Sequence, residues 1–145
     1  METLVILLKA PRPGVVKTRL AGAIGASAAA AAYARLVASL LLRLEALPDV
    51  QLRYSPDNAL PEIQPWLRPS WQARPQGNGD LGERLQSAFA DSFAEGATRA
   101  VVIGSDCPEV SVGDIRNAWD RLAAHDLVLG PAKDGGYWRI GLRTP

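Results

Sequence analysis

The stretch TLVILLKAPRPGVVKTRL, from Thr3 to Leu20, places an apolar run, a breaker-rich turn and a cluster of bases in direct succession. The run Thr3 to Leu8 is rich in β-formers and has no polar side. That is the pattern of a strand buried on both faces inside a parallel sheet. Pro11, Pro13 and Gly14 then break the chain. A helical region from about Lys17 to Leu47 follows. An interruption is expected near Gly22 and Gly25, with Ser27 as the N-cap of the longer part.

The same alternation continues outward. DVQLRY (Asp49 to Tyr54) reads as a second strand, Leu60 to Leu67 as a short helix, and Trp71 to Arg74 as a third strand. PQGNGDLGERLQSAFADSFAEG is a glycine-rich loop feeding an amphipathic helix, with Leu81, Leu85, Ala88, Phe89 and Phe93 on one face. RAVVIG (Arg99 to Gly104) is another buried strand. Ser111 and Asp114 have capping-box spacing, and the helix they open is expected to reach Ala124. DLVLGPA and YWRIGL are strands joined through the KDGG turn. The expected fold is therefore α/β: a three-layer α/β/α arrangement over a mostly parallel, Rossmann-like sheet, forming one domain over residues 1–145.

Composition narrows the function classes. Of the 145 residues 48% are hydrophobic and the net charge is only +1, so neither nucleic acid nor an acidic partner is indicated. The four tryptophans do not interleave with a basic stripe and read as packing residues. The single cysteine, Cys107, excludes an internal disulfide framework and suits a reducing cytoplasm. The apolar N-terminal run lacks the basic flank of a signal peptide. Tyr33, Arg35, Ser39 and Arg43 argue against a membrane span in the Ala/Leu-rich stretch, so a soluble cytoplasmic protein is expected.

Charge is distributed unevenly. Lys9, Arg12, Lys17 and Arg19 crowd one loop, and no Asp or Glu occurs between Glu2 and Glu45. Backbone N–H groups and a helix dipole beside such a loop favour an anion. Lysine adds a mobile charge and arginine a two-pronged fork for phosphate. The GxxxxGK[ST] spacing of a P-loop is absent. In open α/β sheets ligands sit at the carboxyl ends of the strands, and three further unusual segments fall there. Gly77 and Gly79 permit close approach of a planar ligand, with Asp80 at or near the helix N-cap. Asp106 follows the strand Arg99 to Gly104 and could hold Mg²⁺ or Mn²⁺ against phosphate oxygens. Asp134, in the KDGG turn, would stand at the mouth of the same cleft. Cys107 has no histidine arranged to activate it, and His125 reads as a helix-terminal dipole partner.

Taken in order, KAPRPGVVKTRL, PQGNGDLGERL, IGSDCP and GPAKDGGYWRIGL resemble the signatures of a bacterial glycosyltransferase-A-like family, the rSAM/selenodomain-associated transferase 1 type. The resemblance spans almost the whole chain. It implies the fold of the nucleotide-diphospho-sugar transferases, similar to that of the cofactor guanylyltransferases. It also implies phosphates at Lys9, Lys17 and Arg19, a base or ribose along Gly77 to Asp80, and a metal at Asp106. Relatives continue past YWRIGL into an Asp-x-Asp-type stretch. The chain therefore reads as a truncated form or a natural short version; in the second case its metal site would be half-built and its last strand an exposed edge that invites aggregation or a homodimer. The leading expectation is a metal-dependent transferase using a nucleotide sugar or nucleoside triphosphate and a small-molecule acceptor, with Asp106 and Asp134 as its acids. A guanylyltransferase-type nucleotidyl transfer is the alternative within that class. A nucleotide-binding domain without turnover is the rival outside it.

Overall fold

The computed structural model describes residues 1–106, 109–131 and 137–144. Six strands form one sheet: β1 (Glu2–Lys9), β2 (Val50–Ser55), β3 (Gln72–Pro75), β4 (Arg99–Gly104), β5 (Leu127–Pro131) and β6 (Tyr137–Arg143), in the order β3-β2-β1-β4-β6-β5. The pairs β1–β2, β1–β4 and β2–β3 are parallel, whereas β6 runs antiparallel to both β4 and β5. The mostly parallel α/β/α architecture expected from the sequence is therefore present. The strand order reverses between β1 and β4, and in open α/β sheets that gap is where a crevice forms.

The two faces of β1 explain its apolar run from Leu4 to Leu8. Leu4, Ile6 and Leu8 join a core with Tyr33, Val37, Leu40, Leu41 and Leu44 of α2 (Ala26–Leu44) and with Ile115, Ala118 and Trp119 of α5 (Val112–Arg121). Val5 joins Ala88 and Phe89 of α4 (Leu81–Ala94) on the opposite face, with Leu85 and Phe93 packed alongside. Leu81 departs from the expected apolar stripe of α4: it is exposed and lines the cleft described below. By length and apolar content α2 could cross a membrane. Its buried residues recur at helical spacing and lie against the sheet, as in a core helix of a globular domain. This packing identifies its role better than the few polar residues on which the sequence argument rested.

Local signals placed most element ends. Asp80 caps α4 by accepting from the Glu83 amide at 2.9 Å, and Ser111 and Asp114 form the expected capping box on α5. Three boundaries differ. The long helical region splits at Gly25, whose φ of 94° no L-residue adopts easily, into α1 (Thr18–Ile24) and α2; Gly22 stays helical. Gly25 is also the N-cap of α2, and Ser27 lies inside the first turn. Helix α5 ends at Arg121 rather than Ala124, so His125 lies beyond it, its amide bonded to the Arg121 carbonyl. A short helix α3 (Leu60–Ile63) runs into a 3₁₀ turn, Gln64–Trp66.

The expectation of an exposed last strand is corrected. β6 lies between β4 and β5, and the sheet's free edges are β3 and β5. The hairpin return lets β6 satisfy its backbone on both sides. Gly141 permits the close fit, because a Cβ there would meet Leu122 Cδ1 at 3.1 Å and Val101 Cγ2 at 3.3 Å. Trp71 and Trp119 are core residues, as expected, and donate their indole N–H to the carbonyls of Leu47 and Thr3.

Leu40 is wholly buried where α2 crosses the sheet. Leu40→Ala is expected to lower unfolding free energy by about 2–5 kcal/mol through lost burial and a residual cavity. Urea titration should show a lower midpoint with an unchanged slope.

Candidate functional site

A cleft of about 890 Å³ opens at the carboxyl ends of β1 and β4, where the strand order reverses. Its floor is Leu7, Leu8 and Lys9 of β1 with Gly104, Ser105 and Asp106 after β4. Val15 to Leu20 and residues of α2 form one wall, and Gln76, Gly79, Leu81 and Arg84 form the other. Lys9, Lys17, Arg19, Gly79 and Asp106 thus meet in one place, as the sequence suggested. Four bases and one acid among the described lining residues give the cleft a net positive character.

The remaining expected residues lie elsewhere. Arg12 is not part of the lining: its Nε donates to both oxygens of Glu62 at 3.0 and 2.8 Å, and its Nη1 donates to Asn58 at 3.1 Å. Its fork is spent fastening the first loop to α3. The hydrogen bond from Arg12 holds the Glu62 carboxyl below its ordinary range. Gly77 and Asp80 also fall outside the lining. Gly77 has φ 87° and shapes the loop, and Asp80 works as a cap. Gly79 needs its glycine twice over: φ is 96°, and a Cβ would sit 2.5 Å from Glu83 Oε2. Asp134, Lys133 and Cys107 lie outside the described residues.

The acid-free appearance of the first loop disappears in three dimensions. Lys17 Nζ is 2.8 Å from Asp106 Oδ1, a partner 89 residues away in sequence. Lys17 is the described non-glycine residue with positive φ, at 49°, and it forms the N-cap of α1. A lysine in this conformation is held against its own backbone preference. Among the described residues no group of three His, Cys, Asp or Glu side chains could hold a metal. Asp106 is a single carboxylate with its side chain 73% exposed. That donor set fits a hard cation that keeps most of its shell as water and substrate phosphate, the usual arrangement for Mg²⁺, rather than a cage built from protein.

Sequence reading used Tyr33 only as a polar residue that argues against a membrane span and gave it no place in the site. Its hydroxyl accepts from the Lys9 amide at 2.9 Å and bonds Ser105 Oγ at 2.9 Å, tying the ends of β1 and β4 to α2 under the cleft. Gln76 opens the glycine loop that the sequence singled out, but sequence reading assigned it no role of its own. It is buried, and its amide donates to the carbonyls of Leu8 and Arg53 at 2.8 and 3.1 Å. It thereby closes the ends of β1 and β2 beneath the glycine loop.

Burial pushes the Tyr33 phenol above its ordinary value of 10.0, and the Asp106 charge adds to this against the opposing bonds from Ser105 and Lys9. The unfolded chain releases this proton near the ordinary value and the folded chain only above it. Stability therefore falls as pH rises through that window. Tyr33→Phe is expected to cost about 1–3 kcal/mol at neutral pH, because the Lys9 amide loses its acceptor. It should also remove that share of the alkaline loss. Denaturant unfolding of both proteins between neutral pH and about pH 11 checks both effects.

Comparison with known proteins is consistent with this geometry. Residues 40–145 match the model of a family described as uncharacterised proteins conserved in bacteria, DUF2064. No functionally curated protein matches the chain in sequence. A solved structure from Desulfovibrio desulfuricans G20, named provisionally as a nucleotide-diphospho-sugar transferase, superposes with a TM-score of 0.89 at 37% identity. That match covers 98% of this chain and 63% of the other. A cytidylyltransferase from Leptospira borgpetersenii shares the fold at 12% identity, with a TM-score of 0.62 over 98% of this chain and 60% of that one. Rv0371c from Mycobacterium tuberculosis shares it at 16% identity, with a TM-score of 0.58 over 96% and 69% of the two chains. The chain thus spans about three fifths of the length of the first two solved relatives.

Proposed function

The chain belongs to the DUF2064 family of bacterial proteins and has the nucleotide-diphospho-sugar transferase fold; from that premise we propose that it is a metal-dependent transferase that takes a nucleotide donor in the β1/β4 cleft. The observation that carries the reading is the convergence of Lys9, Lys17 and Arg19 with the Asp106 carboxylate at the reversal point of the sheet. The basic residues bind the donor's phosphates and stabilise charge that builds on the leaving group. Asp106 would hold Mg²⁺ or Mn²⁺, which when bound supplies further neutralisation of phosphate charge. The Tyr33 and Gln76 bonds hold the floor of the cleft in place, so less ordering is left to binding.

With a nucleotide-sugar donor, an acceptor oxygen attacks the anomeric carbon and a nucleoside diphosphate leaves. With a nucleoside triphosphate, an acceptor phosphate attacks the α-phosphorus and pyrophosphate leaves. Asp134 is assigned to orient the small-molecule acceptor or take its proton. A cytoplasmic setting, where nucleotide donors are made, belongs to the same proposal. A second reading, nucleotide binding without turnover, is favoured by one observation: Asp106 is a lone carboxylate among the described residues and is already paired with Lys17.

The test is a thermal-shift panel of nucleoside triphosphates and nucleotide sugars, each with Mg²⁺, Mn²⁺ or EDTA. A donor at about 100 times its Kd stabilises the folded state by about 2.7 kcal/mol. A shift of several degrees that EDTA removes is expected for at least one donor. Asp106→Ala should lose the metal-dependent part while melting cooperatively. A flat panel overturns the reading, and a shift without turnover of any acceptor selects the binding-only one.

A further inference from the structure

The bases of the cleft are not held alike. Lys17 is paired with Asp106, whereas Lys9 and Arg19 have no side-chain partner among the described residues. Arg84, on the first turns of α4, differs from both. Its Nε donates to the Gly79 carbonyl at 3.1 Å and its Nη1 to Gln76 Oε1 at 3.0 Å. Gln76 is itself fixed, because its Nε2 is committed to the carbonyls of Leu8 and Arg53. Arg84 is thus positioned entirely by neutral acceptors. Its charge is held in the cleft wall without being cancelled, and its Nη2 has no partner among the described residues.

A guanidinium with spare donors, fixed in orientation, is suited to a two-pronged hydrogen bond with an oxyanion and has little ordering left to undergo on binding. The same two bonds also brace the glycine loop, because Arg84 joins residue 76 to residue 79 across the positive-φ glycines. We propose that Arg84 is a specificity-determining residue of the cleft, which binds phosphoryl oxygens of the nucleotide donor from the wall opposite the first loop and sets the shape of the Gly77 to Asp80 loop as it does so. This rests on the reading of the cleft as a nucleotide site. The first loop supplies charge, and Arg84 supplies charge with fixed geometry.

The test is calorimetric titration of inorganic pyrophosphate and of ATP, GTP, CTP and UTP with Mg²⁺ into wild type, Arg84→Lys and Arg84→Gln, over a range of salt. Both variants are expected to bind about tenfold or more weakly, because lysine keeps the charge and loses the fork. The salt dependence should become shallower only in Arg84→Gln, a readout that a purely structural role would not move. Hydrogen exchange of the Gly77 to Asp80 amides should quicken in both. Arg84 is half-buried, and Arg84→Lys carries the test should Arg84→Gln fold poorly. Wild-type binding that both variants match overturns the role of Arg84 alone. Failure of the wild type to bind any probe overturns the nucleotide reading and this inference with it.

Discussion

The structure depends on one strand paired in parallel on both sides. β1 bonds β2 along one edge and β4 along the other, and is buried on both faces by helices. Its neighbours are reached by crossovers in opposite directions, so the loops at its carboxyl end part and leave a gap. Lys9, Lys17, Arg19, Arg84 and Asp106 all stand around that gap. Because β1 is central in the sheet, its residues from Leu4 to Leu8 are all apolar.

Two bonded residues stiffen the mouth of the gap from below. Tyr33 joins the ends of β1 and β4 to the core helix, and Gln76 joins the ends of β1 and β2 to the glycine loop. Each is a polar side chain in an apolar setting, and each satisfies its neighbours' backbone groups as well as itself. A buried polar group left unpaired costs more than the bond is worth in water, so such residues narrow the set of conformations the loops can take. The cleft is therefore shaped before any ligand arrives.

The arginines divide between structure and chemistry. Arg12 and Arg53 are paired with Glu62 and Asp91, and fasten one segment of the fold to another. The bond from Arg53 also holds the Asp91 carboxyl below its ordinary range, which ties part of the α4 attachment to that acid remaining ionised. Arg84 spends its bonds on neutral acceptors and keeps its charge. A count of bases in the first loop does not separate these cases, because the acids that pair with Arg12 and Lys17 come from α3 and from the end of β4.

The order of strands and helices, the buried character of β1 and β4, and the caps at Asp80 and Ser111 were determined by the sequence alone. These features rest on short-range energies: side-chain periodicity, capping hydrogen bonds and the stiffness of Pro and Gly. They were legible because each is decided within a few residues. Tertiary structure decided the rest. It placed β6 inside the sheet, ended α5 early, turned Arg12 away toward Glu62, 50 residues distant, and brought Asp106 to Lys17. It also made Arg84 part of the cleft, although a lone arginine in the first turns of a helix carries no local mark of that role. Such pairings depend on which chain segments meet in space. That is fixed by the register of strands far apart in sequence, and no window along the chain contains it.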